Sequence, residues 1–342
     1  MEVSMIAIDL AKTSFAVCGV NAGGKVILRK SLNRQMLKQF LLHQAPCRVA
    51  MEACGSSHYW GREVEKMGHR AVLVSARAVH RITKTQKNDR NDTEAIAIAA
   101  NLPQMNFVPV KKTWQQDLQS VHRTRDGVVK SKTALINQTR GLLSEYGIVV
   151  PKGAVKFKKA LPEILEDSEN ILTETMRELI ALNQDMLRRL EEQKEKLEGI
   201  IKRFALTNDD CQRLMKVPGV GILSSTLFIS AVGDPRQFKN GRAAAAWLGL
   251  VPRQNTTGGR IKLGGITRAG DQHLRTALIH GARSQVLSCI RHDKKDRYSE
   301  WVKKLVEKKG WNKTSVAVAN KMTRVMWHLW AHKEEFDLKN VA

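Results

Sequence analysis

Met5-Ile6-Ala7-Ile8-Asp9 and Arg48-Val49-Ala50-Met51-Glu52 are two short apolar runs that each end on a carboxylate. Both have the length and composition of buried strands, and a carboxylate at such an end meets solvent at the edge of a sheet. Between them, residues 5–10, 15–20 and 25–31 read as three strands, with Asn21-Ala22-Gly23-Gly24 turning the second pair into a hairpin. A helix over residues 34–43, the strand 48–52, a helix over 59–67 and a strand over 71–75 continue the pattern. Strands alternating with helices after an antiparallel start predict a mixed α/β sheet. Residues 92–100 read as a helix, and 113–146 as one or two more.

Asp9 and Glu52 are thereby expected at one sheet edge. Asp89 and Asp92 stand three residues apart, so a helix that starts at or before Asp89 carries both on one face and can bring them to the same place. Four such oxygen donors suit a hard divalent ion, Mg²⁺ or Mn²⁺, and a pair of ions about 3.5–4 Å apart can stabilise the attacking and leaving oxygens of a phosphodiester displacement. Taken singly the acids have blander readings: Asp89 can serve as the cap of the helix that holds Asp92. Glu94, two residues beyond Asp92, should point off the shared face and be solvated.

The chain of 342 residues contains 57 Lys and Arg against 33 Asp and Glu, a net +24, which favours a polyanionic partner, nucleic acid first. At roughly 150 residues per domain the length suggests two globular domains with something between them. Net charge is +7 over residues 1–110, +8 over 111–162, −4 over 163–205 and +13 over 206–342. The acidic stretch has Leu179, Leu182, Met186, Leu190, Leu197, Ile201 and Phe204 near three-four spacing, as a coiled-coil arm or a helix packed within one protomer requires. The expected division is an α/β domain over 1–110, a helical or coiled-coil linker over 111–205, and a mainly α domain over 206–342. The five cysteines form no Cys-x-x-Cys pair, against structural zinc and a disulfide framework. No stretch approaches the ~18 apolar residues of a membrane span, and a cytoplasmic protein with no membrane partner is expected.

Two motifs in the C-terminal part carry chemistry. Lys216-Val217-Pro218-Gly219-Val220-Gly221 places a Pro-Gly-apolar-Gly turn between helical stretches, in the manner of a DNA-binding helix-hairpin-helix. There Gly219 and Gly221 would let the backbone reach a phosphate and Lys216 would add charge; a tight turn buried within the domain is the structural alternative. Residues 249–275 alternate hydroxyls, glycines and basic side chains, and read as a flexible phosphate-contacting loop ending at a helix near Asp271. Arg253, Arg260, Lys262, Arg268 and Arg275 are its candidate phosphate contacts. Trp301, Trp311, Trp327 and Trp330 read as helix-packing residues rather than base-stacking ones.

Asp9, Glu52, the run Lys87-Asn88-Asp89-Arg90-Asn91-Asp92, Pro218-Gly219-Val220-Gly221 and the 249–275 block, in that order, resemble the DEDD transposases of insertion sequences, the hundred-and-ten and eleven-eleven group. The resemblance spans nearly the whole chain. It implies an RNase H/RuvC-like N-terminal domain, a coiled-coil arm and a C-terminal transposase domain. It also implies a structured noncoding guide RNA, called bridge RNA or seekRNA, that pairs with donor and target double-stranded DNA. In that family a serine of the C-terminal domain attacks DNA while the acids, here Asp9, Glu52, Asp89 and Asp92, hold Mg²⁺ at the scissile phosphate. This chain departs from the pattern: no serine lies between Ser230 and Ser284, and Thr256 and Thr257 stand before the glycine pair. A threonine hydroxyl can serve as nucleophile, with Thr256 preferred. Strand exchange between two duplexes implies a homodimer or homotetramer. The alternatives are a RuvC-like metal-dependent endonuclease that uses water, and a noncatalytic RNA-binding protein.

Overall fold

In the computed structural model, which describes residues 2–82, 88–103, 105, 107–292 and 295–337, the two carboxylate-ended runs are neighbouring parallel strands. They are β1 (Met5–Asp9) and β4 (Arg48–Glu52), with Ile8 opposite Met51. Strand β2 (Ser14–Val20) pairs antiparallel with β1 and with β3 (Val26–Asn33), and β5 (Arg70–Val74) lies parallel to β4. The sheet order is β3-β2-β1-β4-β5. The expected hairpin turn is present: the Asn21 side chain accepts from the Lys25 amide, and Gly24 takes a positive φ of 79°.

Helices cover both faces, because strand alternation divides the apolar residues between them. Ile6, Ile8, Val17, Val49, Met51 and Leu73 pack with Leu37 and Leu41 of α1 (Arg34–Leu42) and Trp60 and Val64 of α2 (Ser57–Lys66). Trp60 is fully buried, its ring meeting Phe15 edge-on at 5.1 Å. Met5, Ala7, Cys18, Val20, Ala50, Val72 and Val74 pack with Val79 of α3 (Ala76–Ile82) and with Ala95, Ile96, Ala99 and Ala100 of α4 (Asp89–Asn101). Each fully buried Val, Leu, Ile, Phe or Met side chain among them stabilises the fold by about 1.5–3 kcal/mol, and each buried alanine methyl by less, about 0.8 kcal/mol per carbon.

The chain folds as two compact units: Met1–Gln116 with Val232–Ala244, and Asp117–Ala231 with Ala245–Ala342. The first holds the sheet. The segment Val232–Ala244, expected in the C-terminal domain, returns to it, and the Gly233 carbonyl accepts from the Gln115 side chain at 2.6 Å. In the second unit α5 (Thr113–Glu145) runs antiparallel to α7 (Glu174–Thr207). Arg125 meets Glu198 at 2.6 Å, Lys132 meets Glu191 at 2.5 Å, and the Asn183 side chain donates to Thr139 Oγ1 at 3.2 Å. Thus the expected linker belongs, from Asp117 onward, to the second unit, and its long helix has a partner within the same chain. The helix begins at Glu174 rather than near 163, because α6 (Ala154–Glu166) ends first and Thr173 caps the new start. The remaining elements are α8 (Asp209–Met215), α9 (Ile222–Val232), α10 (Gly241–Trp247), the hairpin β6 (Pro252–Thr257) and β7 (Arg260–Ile266), α11 (Gln272–Arg291), α12 (Arg297–Lys309) and α13 (Trp311–His332). As expected of a packing residue, Trp330 is buried, donating its indole N–H to Asp210 at 2.9 Å. Among the described residues no helix is long and apolar enough to cross a membrane.

Candidate active site and nucleic-acid interface

Asp9 follows Met5 and Ala7 in alternation, and Glu52 follows Ala50, so both carboxylates end their strands on the sheet face that α4 covers. The direction of α4 decides whether its acids reach them. Arg48, at the start of β4, donates to the Ala100 carbonyl and to the Asn101 side chain at the C-terminal end of α4. Counting back, four strand steps of roughly 3.3 Å lead from Arg48 to Glu52, about 13 Å, and eight helical steps of roughly 1.5 Å lead from Ala100 to Asp92, about 12 Å. The opening turn of α4, with Asp89 and Asp92, therefore lies toward the Glu52 end of β4. The Cys18 thiol, donating to the Thr93 carbonyl at 3.6 Å, holds the same register, since Cys18 pairs with Ala7, two residues short of Asp9.

The α4 cap is Asn88, whose side chain accepts from the Asn91 amide at 2.8 Å, leaving Asp89 as the first helical residue beside Asp92 in the opening turn. Burial pushes the Cys54 thiol up, and the charges of Glu52 and Asp9 add to that push, so both carboxylates act on one point past the end of β4. Among the described residues no three His, Cys, Asp or Glu side chains are gathered closely enough to hold a metal ion. The donor chemistry of the four acids, carboxylate oxygens only, nevertheless fits a hard divalent cation. Glu94 is not simply solvated. It pairs with Arg29 of β3 and, at 3.5 Å, with Arg90; the Arg29 hydrogen bond is the main cause that holds its carboxyl below the ordinary range.

The expected flexible loop is an antiparallel ribbon of two exposed strands, β6 and β7, joined by Gly258 and Gly259 at φ 55° and 76°. Two successive positive φ values are what a two-residue hairpin turn demands, which explains the glycine pair. Register sorts the side chains: Asn255 pairs with Lys262 and Thr257 with Arg260 on one face, Gln254 with Leu263 and Thr256 with Ile261 on the other. The Arg253 Cβ lies 3.8 Å from where a Cβ on Gly264 would sit, which adds Arg253 to the face of Lys262. The two threonines thus point to opposite sides. Thr257 stands among Arg253, Arg260 and Lys262; Thr256 stands beside Ile261 and Leu263, its hydroxyl accepting from the Gln254 side chain at 2.9 Å. Residues 248–270 contain four basic residues and no acid.

The helix-hairpin-helix-like turn is largely occupied by its own domain. Gly219, at φ 86°, comes so close to Gly281 of α11 that a Cβ on Gly281 would sit 2.1 Å from the Gly219 carbonyl oxygen. Lys216 is paired with Glu335. Gly221 is exposed, with open space around it, and its amide donates to the Ser224 hydroxyl at the start of α9. Arg275, expected to contact phosphate, is instead 8% exposed and donates to the Leu248 and Ala269 carbonyls at 3.2 and 2.6 Å. It clamps the two ends of the ribbon block, and burial lowers its pKa. Arg253, Arg260, Lys262 and Arg268 are exposed, and Arg268 takes a left-handed φ of 55°.

The sequence reading missed a polar cluster beside that turn. His273, in the first turn of α11, meets Asp126 of α5 at 2.8 Å, and Lys130 meets the same carboxylate at 2.9 Å. Burial pushes the Asp126 carboxyl up, but the hydrogen bonds from Lys130 and His273 outweigh it and hold the group below its ordinary value. His122, 4% exposed, shares a hydrogen bond with Thr226 at 2.9 Å; burial is the first cause that brings its pKa down to about 4. The i,i+4 spacing of Asp126 and Lys130 was a readable signal; the arrival of His273 from a distant helix was not.

Residues 211–299 match the transposase family IS116/IS110/IS902, and residues 6–148 match a transposase model of the IS110 DEDD type. A probable family 20 transposase of Pseudomonas aeruginosa is 42% identical over 96% of this chain and 97% of its own length. The transposase of insertion sequence element IS1111A from Coxiella burnetii is 40% identical over 98% and 92%, and that of IS1328 from Yersinia enterocolitica is 35% identical over 95% and 96%. With similarity of that extent along both units, and with the acids and the ribbon in the matched segments, the chain belongs to the IS110 family of DEDD transposases, enzymes that cleave and rejoin DNA.

Proposed function

We propose that the protein exchanges DNA strands by transesterification from Thr257, with Asp9, Glu52, Asp89 and Asp92 as the acidic half of the active site, under the guidance of a structured noncoding RNA. The observation that supports the reading is the antiparallel run of α4 along β4, whose opening turn, with Asp89 and Asp92, lies toward the strand end that carries Glu52, on the face that Asp9 shares. The strand order, antiparallel on one side of β1 and parallel on the other, supports a RuvC-like sheet. The four acids would hold Mg²⁺ or Mn²⁺, which supplies charge stabilisation at a phosphodiester.

The chain's own groups divide the remaining work. Arg253, Arg260 and Lys262 attract and seat a phosphate on the face of the ribbon where the Thr257 hydroxyl stands. As the Thr257 Oγ1–phosphorus bond forms, the hydroxyl gives up its proton, the bond from phosphorus to the 3′-oxygen breaks, and that oxygen leaves with a proton as a free 3′-hydroxyl. Attack by a 3′-hydroxyl on the protein-bound phosphate reverses the step and rejoins DNA, one phosphodiester being exchanged for another at each stage. Thr256 serves less well, since its hydroxyl is engaged by Gln254 and shares its side with Ile261 and Leu263. The +24 net charge supports two polyanionic partners, guide RNA and DNA. Leu179, Leu182 and Met186, exposed on α7, support a homodimer or homotetramer.

The test is a DNA substrate with a labelled strand, incubated with protein, guide RNA and Mg²⁺ and run on a denaturing gel. A protein–DNA adduct is expected for wild type, Thr256→Ala and Thr257→Ser, and none for Thr257→Ala, Asp9→Asn or Glu52→Gln. Release of a free 5′-phosphate without any adduct would replace the proposal by a hydrolytic endonuclease. Strand exchange that survives Asp9→Asn would favour a noncatalytic RNA-binding role.

A further inference from the structure

The β6–β7 ribbon is exposed at every residue of β6 and at all but the last of β7. A two-stranded ribbon of this kind is marginal by itself, so its direction is set where it joins the domain. There its two ends cross. With φ 76° and 69°, Gly249 and Gly270 come so close to the opposite segment that a Cβ on Gly249 would sit 2.2 Å from the Ala269 amide nitrogen, and one on Gly270 2.2 Å from the Trp247 carbonyl oxygen. The Thr267 amide donates to the Val251 carbonyl at 2.9 Å and the Arg268 amide to the Gly249 carbonyl at 3.2 Å. One side chain from α11 binds both ends. Nη1 of Arg275 donates to the Leu248 carbonyl before the ribbon and to the Ala269 carbonyl after it. From α13 the Asn320 side chain adds a bond to the Leu250 carbonyl at 3.1 Å.

We propose that Arg275 is a positioning residue of strand transfer: it fixes the angle at which the ribbon leaves its domain, and so the place of the Thr257 hydroxyl. The inference rests on the Thr257 reading given above and deepens it. From Val251, at the base, six strand steps of roughly 3.3 Å lead to Thr257, an arm of about 20 Å. Over such an arm a tilt of about 3° at the base displaces the hydroxyl by about 1 Å, and a misplacement of about 1 Å can cost on the order of 10²-fold in rate. A guanidinium suits the task, because one of its nitrogens carries two N–H groups in a rigid plane and can hold two carbonyls at a fixed separation. Binding and chemistry separate accordingly. Arg253, Arg260 and Lys262 travel with the ribbon, so phosphate affinity survives a tilt. Alignment of the hydroxyl with the acids, which are not on the ribbon, does not.

The adduct assay, on the full chain with guide RNA and Mg²⁺, is repeated over a titration of DNA. Arg275→Met should lower the rate at saturating DNA by about tenfold or more, while the half-saturating DNA concentration stays within about twofold. Arg275→Lys, which restores a donor with several N–H groups, should recover most of the rate. Should Arg275→Met not fold, Arg275→Gln takes its place with the same outcomes. Val302→Ala, a truncation in the core at α12, controls for general destabilisation: it should lower the thermal midpoint and leave the rate unchanged well below it. A second readout needs no catalysis. Nitrogen relaxation of the Gly258 and Gly259 amides, at the ribbon's tip, should show lower order in Arg275→Met and not in Val302→Ala. A saturated rate unchanged in Arg275→Met overturns the proposal, as does a loss that Val302→Ala matches, or weaker DNA binding with the saturated rate kept. If wild type forms no adduct, the Thr257 reading fails and this proposal with it. If wild type forms the adduct and Arg275→Met forms it as fast, only the role of Arg275 falls, so the two failures are distinguishable.

Discussion

Replacing Gly281 by Ala tests the close approach of the Gly219 turn to α11. A Cβ there would lie 2.1 Å from the Gly219 carbonyl oxygen, and 3.6 Å from the Met322 Cε. The tightest ordinary carbon–oxygen contacts are near 3.3 Å, so the turn must retreat by about 1.2 Å. The obstacle is backbone, and Gly219 is itself held at φ 86°, a conformation that leaves little room to swing aside. Overpacking of this kind costs typically 1–3 kcal/mol, and alanine returns up to about 1 kcal/mol of helix propensity. A net loss of roughly 1–2 kcal/mol corresponds to about 2–8 °C in the thermal midpoint of a domain of this size. The matched control is Gly199→Ala in α7, where a Cβ meets nothing within 4 Å. That variant should gain up to about 1 kcal/mol. Calorimetry of the two proteins side by side decides the matter: a Gly281→Ala variant that melts at or above wild type would falsify the packing argument.

Other consequences can be checked on the same material. His122 titrates near 4 in the folded protein against an ordinary 6.5, so between those values the unfolded chain binds the extra proton and stability falls as pH drops, by at most about 3 kcal/mol. The denaturant midpoint of His122→Gln should therefore approach that of wild type between pH 7 and pH 4.5; a constant gap contradicts burial of a neutral imidazole. Arg275→Met leaves the Leu248 and Ala269 carbonyls without their donor and should cost about 1–3 kcal/mol in urea unfolding. Unchanged stability with weaker DNA binding would return Arg275 to the phosphate contacts. Replacing Arg260 and Lys262 together by Ala should reduce the slope of log affinity against log salt for duplex DNA by about 1.8, near 0.9 for each phosphate released. An unaltered slope removes the ribbon from the interface.

Much of the sheet was legible because its signals are local. β1 to β5 were all expected from apolar runs and turns, and the Asn21 to Gly24 turn from its composition. Asp9, Glu52, Asp89 and Asp92 were named from their positions at strand ends and on one helix. What escaped were features made by residues far apart in the chain. Glu94 looked solvated until β3 brought Arg29 to it, and Arg275 looked like a phosphate contact until the ribbon ends closed around it. The Gly249–Gly270 stretch read as a loop because its alternation is short and its residues are polar and glycine-rich; cross-strand pairing, not burial, makes it a ribbon.

The order of residues alone settles the strand and helix periods, the carboxylates that end β1 and β4, the glycine pair of the hairpin and the strong positive charge, because each follows from neighbours a few positions apart. The packed molecule settles the direction of α4 against β4, the opposite facing of Thr256 and Thr257, the Gly219–Gly281 contact and the polar cluster around His273. These depend on which distant surfaces bury one another, and a one-residue change of register would exchange every face involved.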